Sequence, residues 1–271
     1  MLVLGYPEVS AMPTVRTDDG VNIFYKTVGT GPRDVLFLHG WGGSARYWDE
    51  VLKNLDLTGL RAITTSFRGH GDSDKADAGY SIERFADDMF AVANDAQAEK
   101  FVLVGFSMSG KYAQYMAVTQ PGRVVGLVLV APVGASEFPL PPETERSFCE
   151  AAGNPDEIKT LLAPLSRVPI RRESMETYLD DFVKIPRAVL ESTFSMFSRT
   201  AFVDRVKAIT APTLVIGGEY DPFMPRDYLL TEVVSRIPRA RLAELPCGHE
   251  LPHEMPVETA ALLTAFLAGL R

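Results

Sequence analysis

Cysteine is nearly absent: Cys149 and Cys247 are the only two in 271 residues, they stand far apart, and no C-x-x-C pair occurs. That excludes a disulfide framework and a thiolate zinc site, and leaves two small, semi-buried side chains in a reducing compartment. Runs of positive charge are missing as well. Arg171-Arg172 is the nearest approach to one, against a net charge of −8. Neither a nucleic-acid backbone nor an anionic membrane surface is therefore an expected partner. No apolar run approaches the roughly 18 residues of a membrane span. Met1–Glu8 has neither the basic start nor the long apolar core of a signal peptide, so the expected location is cytoplasmic. Internal repeats and low-complexity segments are lacking too.

The remainder is ordinary for a globular chain, 46% hydrophobic and 23% charged, and long enough to bury a sizeable core. Thr14–Val28 reads as two strands joined at Asp19-Gly20, a favoured hairpin turn. Val35–Leu38 is a short apolar strand that ends in His39-Gly40-Trp41-Gly42-Gly43-Ser44, where three glycines free the backbone to aim N–H groups at a ligand. A helix follows over Ala45–Leu55, then a strand over Arg61–Ser66. Between Ile82 and Ala93 the apolar positions step by three and one, which is one helix face, with Asp87, Asp88 and Asp95 expected toward water. Val124–Val130 is a further buried strand. This alternation calls for a mostly parallel sheet with right-handed crossovers and helices on both faces, and in such sheets ligands sit beyond the carboxyl ends of the strands.

The alternation stops at about residue 134 and resumes after 202. Within that interval Pro139, Pro141 and Pro142 open a stretch of short helices, at Glu143–Ala152, Pro155–Leu162, Met175–Val183 and Ala188–Phe197. A strand at Pro212–Gly217, a helix at Arg226–Ser235, a strand at Arg241–Leu245 and a last helix at Pro256–Leu270 complete the pattern. The expected organisation is a core domain built from 1–133 and 203–271, with 134–202 inserted as a small helical lid.

One stretch organises the chain. Phe101–Val104 is a strand that reaches Gly105-Phe106-Ser107-Met108-Ser109-Gly110 and passes at once into helix. A sharp strand-to-helix turn with serine at its apex pushes the hydroxyl clear of the sheet edge, and the helix N-terminus offers free N–H groups to a developing oxyanion. The usual G-x-S-x-G pattern is altered here, because Ser109 stands where the second glycine is customary. Serine is a weak nucleophile alone. It needs a base, and the base needs a carboxylate. Two later strand ends supply them: Gly217-Gly218-Glu219-Tyr220-Asp221 and Gly248-His249-Glu250.

With His39-Gly40-Trp41-Gly42, Arg68-Gly-His-Gly-Asp-Ser73, the Gly105–Gly110 turn and Gly248-His-x-x-x-x-Glu254-x-Pro256, the chain resembles a serine hydrolase of the α/β-hydrolase fold over essentially its whole length. The resemblance implies Ser107 as nucleophile, His249 as general base and then acid, and Asp221 as the orienting acid. Glu219, two residues nearer the strand, is the rival acid. His253 is the rival base and is expected at the surface beside Pro252. The N–H groups of Trp41 and Met108 would form the oxyanion hole. His39 would tie down the oxyanion loop, His70 would sit in a tight turn, and Arg68 and Asp72 would brace that turn.

Serine at position 107 sets aside the dehalogenase and epoxide-hydrolase branches, which attack with aspartate; the interval 134–202 also holds a single tyrosine, Tyr178, where epoxide hydrolases use a pair. The likeness is to the esterase, lactonase and cofactor-free haloperoxidase (perhydrolase) group, so the expected substrate is a small to medium carboxylic ester, with no organic cofactor and no metal. Lactone or thioester hydrolysis, perhydrolysis and C–C hydrolysis of diketo acids use the same triad. A small-molecule receptor with little turnover is the reading from a different class. Phe138, Phe148, Met175, Tyr178, Phe182, Phe194, Met196 and Phe197 stand at helical spacing and are expected chiefly to pack the lid onto the body. Any that face the site would favour an apolar acyl or aryl group.

Overall fold

The computed structural model describes residues 9–270. Met1–Glu8, read above for a signal peptide, lies outside them. Nine strands run in chain order as β1 (Val9–Ala11), β2 (Thr14–Arg16), β3 (Asn22–Val28), β4 (Arg33–Leu38), β5 (Leu60–Thr65), β6 (Phe101–Phe106), β7 (Val124–Val130), β8 (Thr213–Gly218) and β9 (Ala240–Leu245). Their order across the sheet is β1-β3-β5-β4-β6-β7-β8-β9, with β2 hairpinned onto β3. From β5 to β9 every pairing is parallel, and β3 joins the edge antiparallel to β5. The turn at Asp19-Gly20 is where the sequence puts it, with Gly20 at φ +86°.

Val35–Leu38 of β4 and the whole of β6 read as continuous apolar runs because both of their faces are covered. One layer holds α1 (Ile82–Asp95) and α2 (Met108–Thr119), which touch each other; the other holds short helical turns at 49–52 and 251–254 against the C-terminal helix at 256–269. Four helices occupy 134–202: α3 (Pro142–Glu150), α4 (Pro155–Leu162), α5 (Arg172–Phe182) and α6 (Arg187–Arg199). Prolines at the first helical position of α3 and α4, and Asn154 accepting from the Asp156 and Glu157 N–H groups, explain why these starts are sharp. The segment is seated on the body through Ser44 and Arg46, which both bond the Asp181 carboxylate, and through the Tyr178 hydroxyl, which donates to Trp41 O at 3.1 Å. No helix of the described residues is long and apolar enough to cross a membrane.

Four local expectations are corrected. The helix at Ala45–Leu55 is a 3-10 turn over Ala45–Trp48 followed by Asp49–Leu52. The helix at Arg226–Ser235 widens into a π turn over Leu230–Val234. Asp88 does not face water. It lies three residues after Phe85 on the same side of α1, fully buried, and takes both forks of the buried Arg68 guanidinium at 2.6 and 2.8 Å. Apolar spacing cannot register a charge that belongs on the buried face because its partner arrives from elsewhere in the chain. Arg68 therefore ties α1 and the Asp19 hairpin together rather than bracing its own turn. Asp72 is exposed, and Ser73 holds that turn, donating to Ser66 O at 2.6 Å and accepting from the Phe24 N–H at 2.9 Å.

Candidate active site

Ser107 stands between β6 and α2 with φ +52° and ψ −117°, a conformation that L-residues occupy only at a cost and that holds the hydroxyl above the sheet edge. The glycines around it make the turn fit. A Cβ at Gly105 would meet Ser109 O at 2.6 Å, and one at Gly110 would meet the Pro132 side chain at 2.4 Å. Ser109 has a use of its own. Its Oγ accepts from the Phe106 N–H at 2.9 Å and lies 2.9 Å from Leu38 O and 3.0 Å from Phe106 O, so it pins the ends of β4 and β6 together.

The structure brings Ser107, His249 and Asp221 together from β6, the loop after β9 and the loop after β8. His249 Nε2 is 2.9 Å from Ser107 Oγ, and His249 Nδ1 is 2.7 Å from Asp221 Oδ2. Asp221 Oδ1 accepts from the Phe223 and Met224 N–H groups at 2.8 and 3.0 Å. Burial pushes the Asp221 carboxyl up, but the imidazole and these two N–H groups outweigh it and hold it below the usual carboxylate range. For His249 burial works downward, and the Asp221 charge more than reverses it, so the imidazole is more basic than usual. Glu219 is exposed and outside this chain of bonds.

His253 is not at the surface. It is buried under Tyr47 and Tyr178, with ring centroids 4.4 and 6.1 Å away, and burial alone lowers it to about 4. Among the described residues none hydrogen-bonds either ring nitrogen, and it takes no part in the bonds around Ser107. His39 anchors the glycine loop. Its Nδ1 is 2.7 Å from Gly40 O, its Nε2 accepts from the Phe67 N–H at 3.1 Å, and it is fully buried and neutral. His70 lies in the tight turn, its Nδ1 3.0 Å from Arg68 O.

Met108 opens α2, so its N–H has no acceptor within the helix. Gly40 packs so close to the elbow that a Cβ there would stand 2.6 Å from the Phe106 ring and 3.6 Å from Ser107 Cβ, which sets the Gly40–Trp41 peptide beside the serine. The Trp41 indole is fixed by a hydrogen bond to Thr193 Oγ1 at 3.1 Å and by the edges of Phe148, Phe182 and Phe194.

A cavity of about 70 Å³ opens at Ser107 and His249. Its wall includes Phe138, Phe148, Tyr178, Phe182, Phe194 and Phe197, so six of the eight large residues expected mainly to pack also face the site; Met175 and Met196 do not. Glu250 lines it as well, and spacing gave no sign of this. Its partner is the Tyr47 hydroxyl, 203 positions away, and burial raises the carboxyl above its ordinary value. Both cysteines are free and buried.

Residues 35–262 match the alpha/beta hydrolase family. A non-heme chloroperoxidase from Streptomyces lividans is 34% identical over 241 residues, covering 79% of this chain and 84% of its own. The bifunctional esterase/perhydrolase DCH of Acinetobacter calcoaceticus is 28% identical over 280 residues, 92% of this chain and 95% of that protein. The solved structure of an esterase from Exiguobacterium antarcticum superposes with a TM-score of 0.88 over 96% of this chain and 100% of that one; at 19% identity that likeness is one of fold.

Proposed function

This chain belongs to the alpha/beta hydrolase family, and we propose that it is a serine carboxylesterase that cleaves small to medium carboxylic esters through an acyl-enzyme on Ser107. The observation that carries the reading is the position of His249, 2.9 Å from a strained, half-buried serine on one side and 2.7 Å from a buried carboxylate on the other. In that geometry His249 Nε2 takes the Ser107 proton as Oγ attacks the ester carbonyl. Asp221 fixes the tautomer and stabilises the imidazolium. The negative charge that grows on the carbonyl oxygen is met by the Met108 and Trp41 N–H groups, each such donor being worth roughly 3 to 4 kcal/mol in the transition state. His249 then hands its proton to the departing alcohol. Water, deprotonated by the same imidazole, releases the acid and restores Ser107.

Residues 134–202 act as the lid in this reading, because their aromatic side chains close the cavity above the serine. The apolar wall selects an uncharged acyl or aryl group, and a cavity of about 70 Å³ keeps that group small. Neither step draws on a metal or an organic cofactor. The test is turnover of a p-nitrophenyl acetate, butyrate and octanoate panel. Wild type is expected to hydrolyse the shorter esters and Ser107→Ala to lose that activity with its fold intact; turnover retained by Ser107→Ala would exclude the mechanism.

A second reading is favoured by the relatives, one a chloroperoxidase and one an esterase/perhydrolase. Hydrogen peroxide in place of water would attack the same acyl-enzyme, giving a peracid and free Ser107. Peracid formation from an ester and peroxide, lost in Ser107→Ala, is its signature.

A further inference from the structure

Lys111 lies one turn past Ser107 on α2 and has no exposed surface. Its Nζ donates to three backbone carbonyls: Ser136 O at 2.8 Å, Phe197 O at 2.5 Å and Thr200 O at 2.7 Å. An ammonium has three protons to give, and burying one is costly unless all are bonded. Here all three are. The acceptors come from both ends of the 134–202 segment.

Those ends lie side by side as a neck. The Phe138 N–H donates to Ser198 O at 2.7 Å, and the Phe202 N–H to Ala135 O at 2.9 Å. One turn beyond Lys111 on α2, Tyr115 meets the Phe202 ring edge-on at 5.3 Å, and Gln114 donates to Val133 O at 3.0 Å. The neck also supplies two walls of the cavity, Phe138 and Phe197. Phe197 is itself one of the residues whose carbonyl Lys111 holds.

We propose that Lys111 is a positioning residue that keeps the lid shut over Ser107, by clamping the incoming and outgoing chain of the lid to the nucleophile's own helix. The proposal rests on the serine-hydrolase reading. Lys111 touches neither substrate nor reacting atoms and acts through Phe138 and Phe197.

The clamp uses every N–H it has. An amine that has lost one proton keeps two donors, so one of the three carbonyls must go without. Burial pulls the Lys111 ammonium down to about 7, against the opposing charge of Glu137 on the incoming chain. The other charged and titratable groups around the neck are the Glu232–Arg236 pair, which holds Ser136 Oγ, Arg205 over the Tyr115 ring, Arg199 paired with Glu145, and Tyr228, whose hydroxyl accepts the Gly134 N–H. The lid therefore loosens as pH rises through neutrality.

The test compares a short ethyl fluorophosphonate with a dodecyl one on wild type and Lys111→Met, following the ratio of their labelling rates at Ser107. Serine reactivity and the titration of His249 act on both probes alike and cancel in the ratio. In wild type the dodecyl-to-ethyl ratio is expected to climb about threefold or more between about pH 6 and about pH 9 as closed lids become open ones. In Lys111→Met it should be high and flat. A wild-type ratio that does not change with pH, or a Lys111→Met profile that copies wild type, overturns the proposal. If Lys111→Met does not fold, Lys111→Gln, with two donors at every pH, is expected to give the same flat ratio, and the wild-type profile is decisive with either. Absence of any label at Ser107 would instead overturn the hydrolase reading, and the clamp with it.

Discussion

Asp221 Oδ2 and His249 Nδ1 stand 2.7 Å apart although 28 residues separate them in the chain. The pairing raises the imidazole and lowers the carboxyl, as expected when each partner favours the charged form of the other. A raised imidazole must lose its proton before it can accept one from Ser107. Activity should therefore fall as pH drops through the His249 pKa, on an acid limb lying above the ordinary histidine value. Asp221→Asn should lower kcat/KM by about 10⁴-fold by freeing the wrong tautomer. It should also move the acid limb to lower pH. A pH profile of kcat/KM for p-nitrophenyl butyrate checks both.

Ser109 is expected to matter for stability more than for rate. Ser109→Gly restores the commoner glycine but strands the buried Phe106 N–H, at a cost of about 1–3 kcal/mol. Urea unfolding should show that loss, while kcat stays within about threefold of wild type because Ser107 and His249 keep their places.

The Arg68–Asp88 pair gives a larger effect. Asp88→Ala leaves a fully buried guanidinium with the exposed Asp19 as its one charged partner and the Ala78 carbonyl as its other acceptor, and should cost about 3–5 kcal/mol in urea unfolding. Combining Arg68→Met with Asp88→Leu should recover much of that loss, since the fully buried guanidinium leaves together with its carboxylate and the charges that lose a contact are the partly exposed Arg84 and the exposed Asp19.

Phe148 lines the cavity at Ser107 from α3 while remaining partly exposed, so it can be trimmed at moderate cost. Phe148→Ala should shift selectivity toward longer acyl chains, raising the octanoate-to-butyrate ratio of kcat/KM by about tenfold, the worth of one or two methylenes in an apolar pocket. Initial rates on the p-nitrophenyl panel measure it.

Much of this molecule was legible along the chain because the informative residues sit at strand ends. Gly105-Phe106-Ser107, Asp221 and Gly248-His249 each follow a strand, and a parallel sheet gathers those ends on one edge. The helices of 134–202 were legible too, since Pro142, Pro155 and Asn154 mark where two of them start. What escaped were side chains whose burial depends on a partner far away in sequence. Asp88 needs Arg68, Glu250 needs Tyr47, and His253 is covered by rings from Tyr47 and Tyr178. Lys111, a charge inside a helix of ordinary pattern, is understood only once Ser136, Phe197 and Thr200 are seen to converge on it. The aromatics of 134–202 escaped in a subtler way: helical spacing says that a face is covered, not whether the cover is another side chain or a cavity.

In the proposed mechanism one oxygen atom, Ser107 Oγ, carries the acyl group between the departure of the alcohol and the arrival of water. Acid quenching of wild type within its first turnover of p-nitrophenyl butyrate, followed by intact-mass and peptide mapping, looks for that group directly. A single butyryl adduct on the peptide containing Ser107, missing in Ser107→Ala, is the expected result; steady hydrolysis with no adduct, or an adduct on another residue, would contradict it.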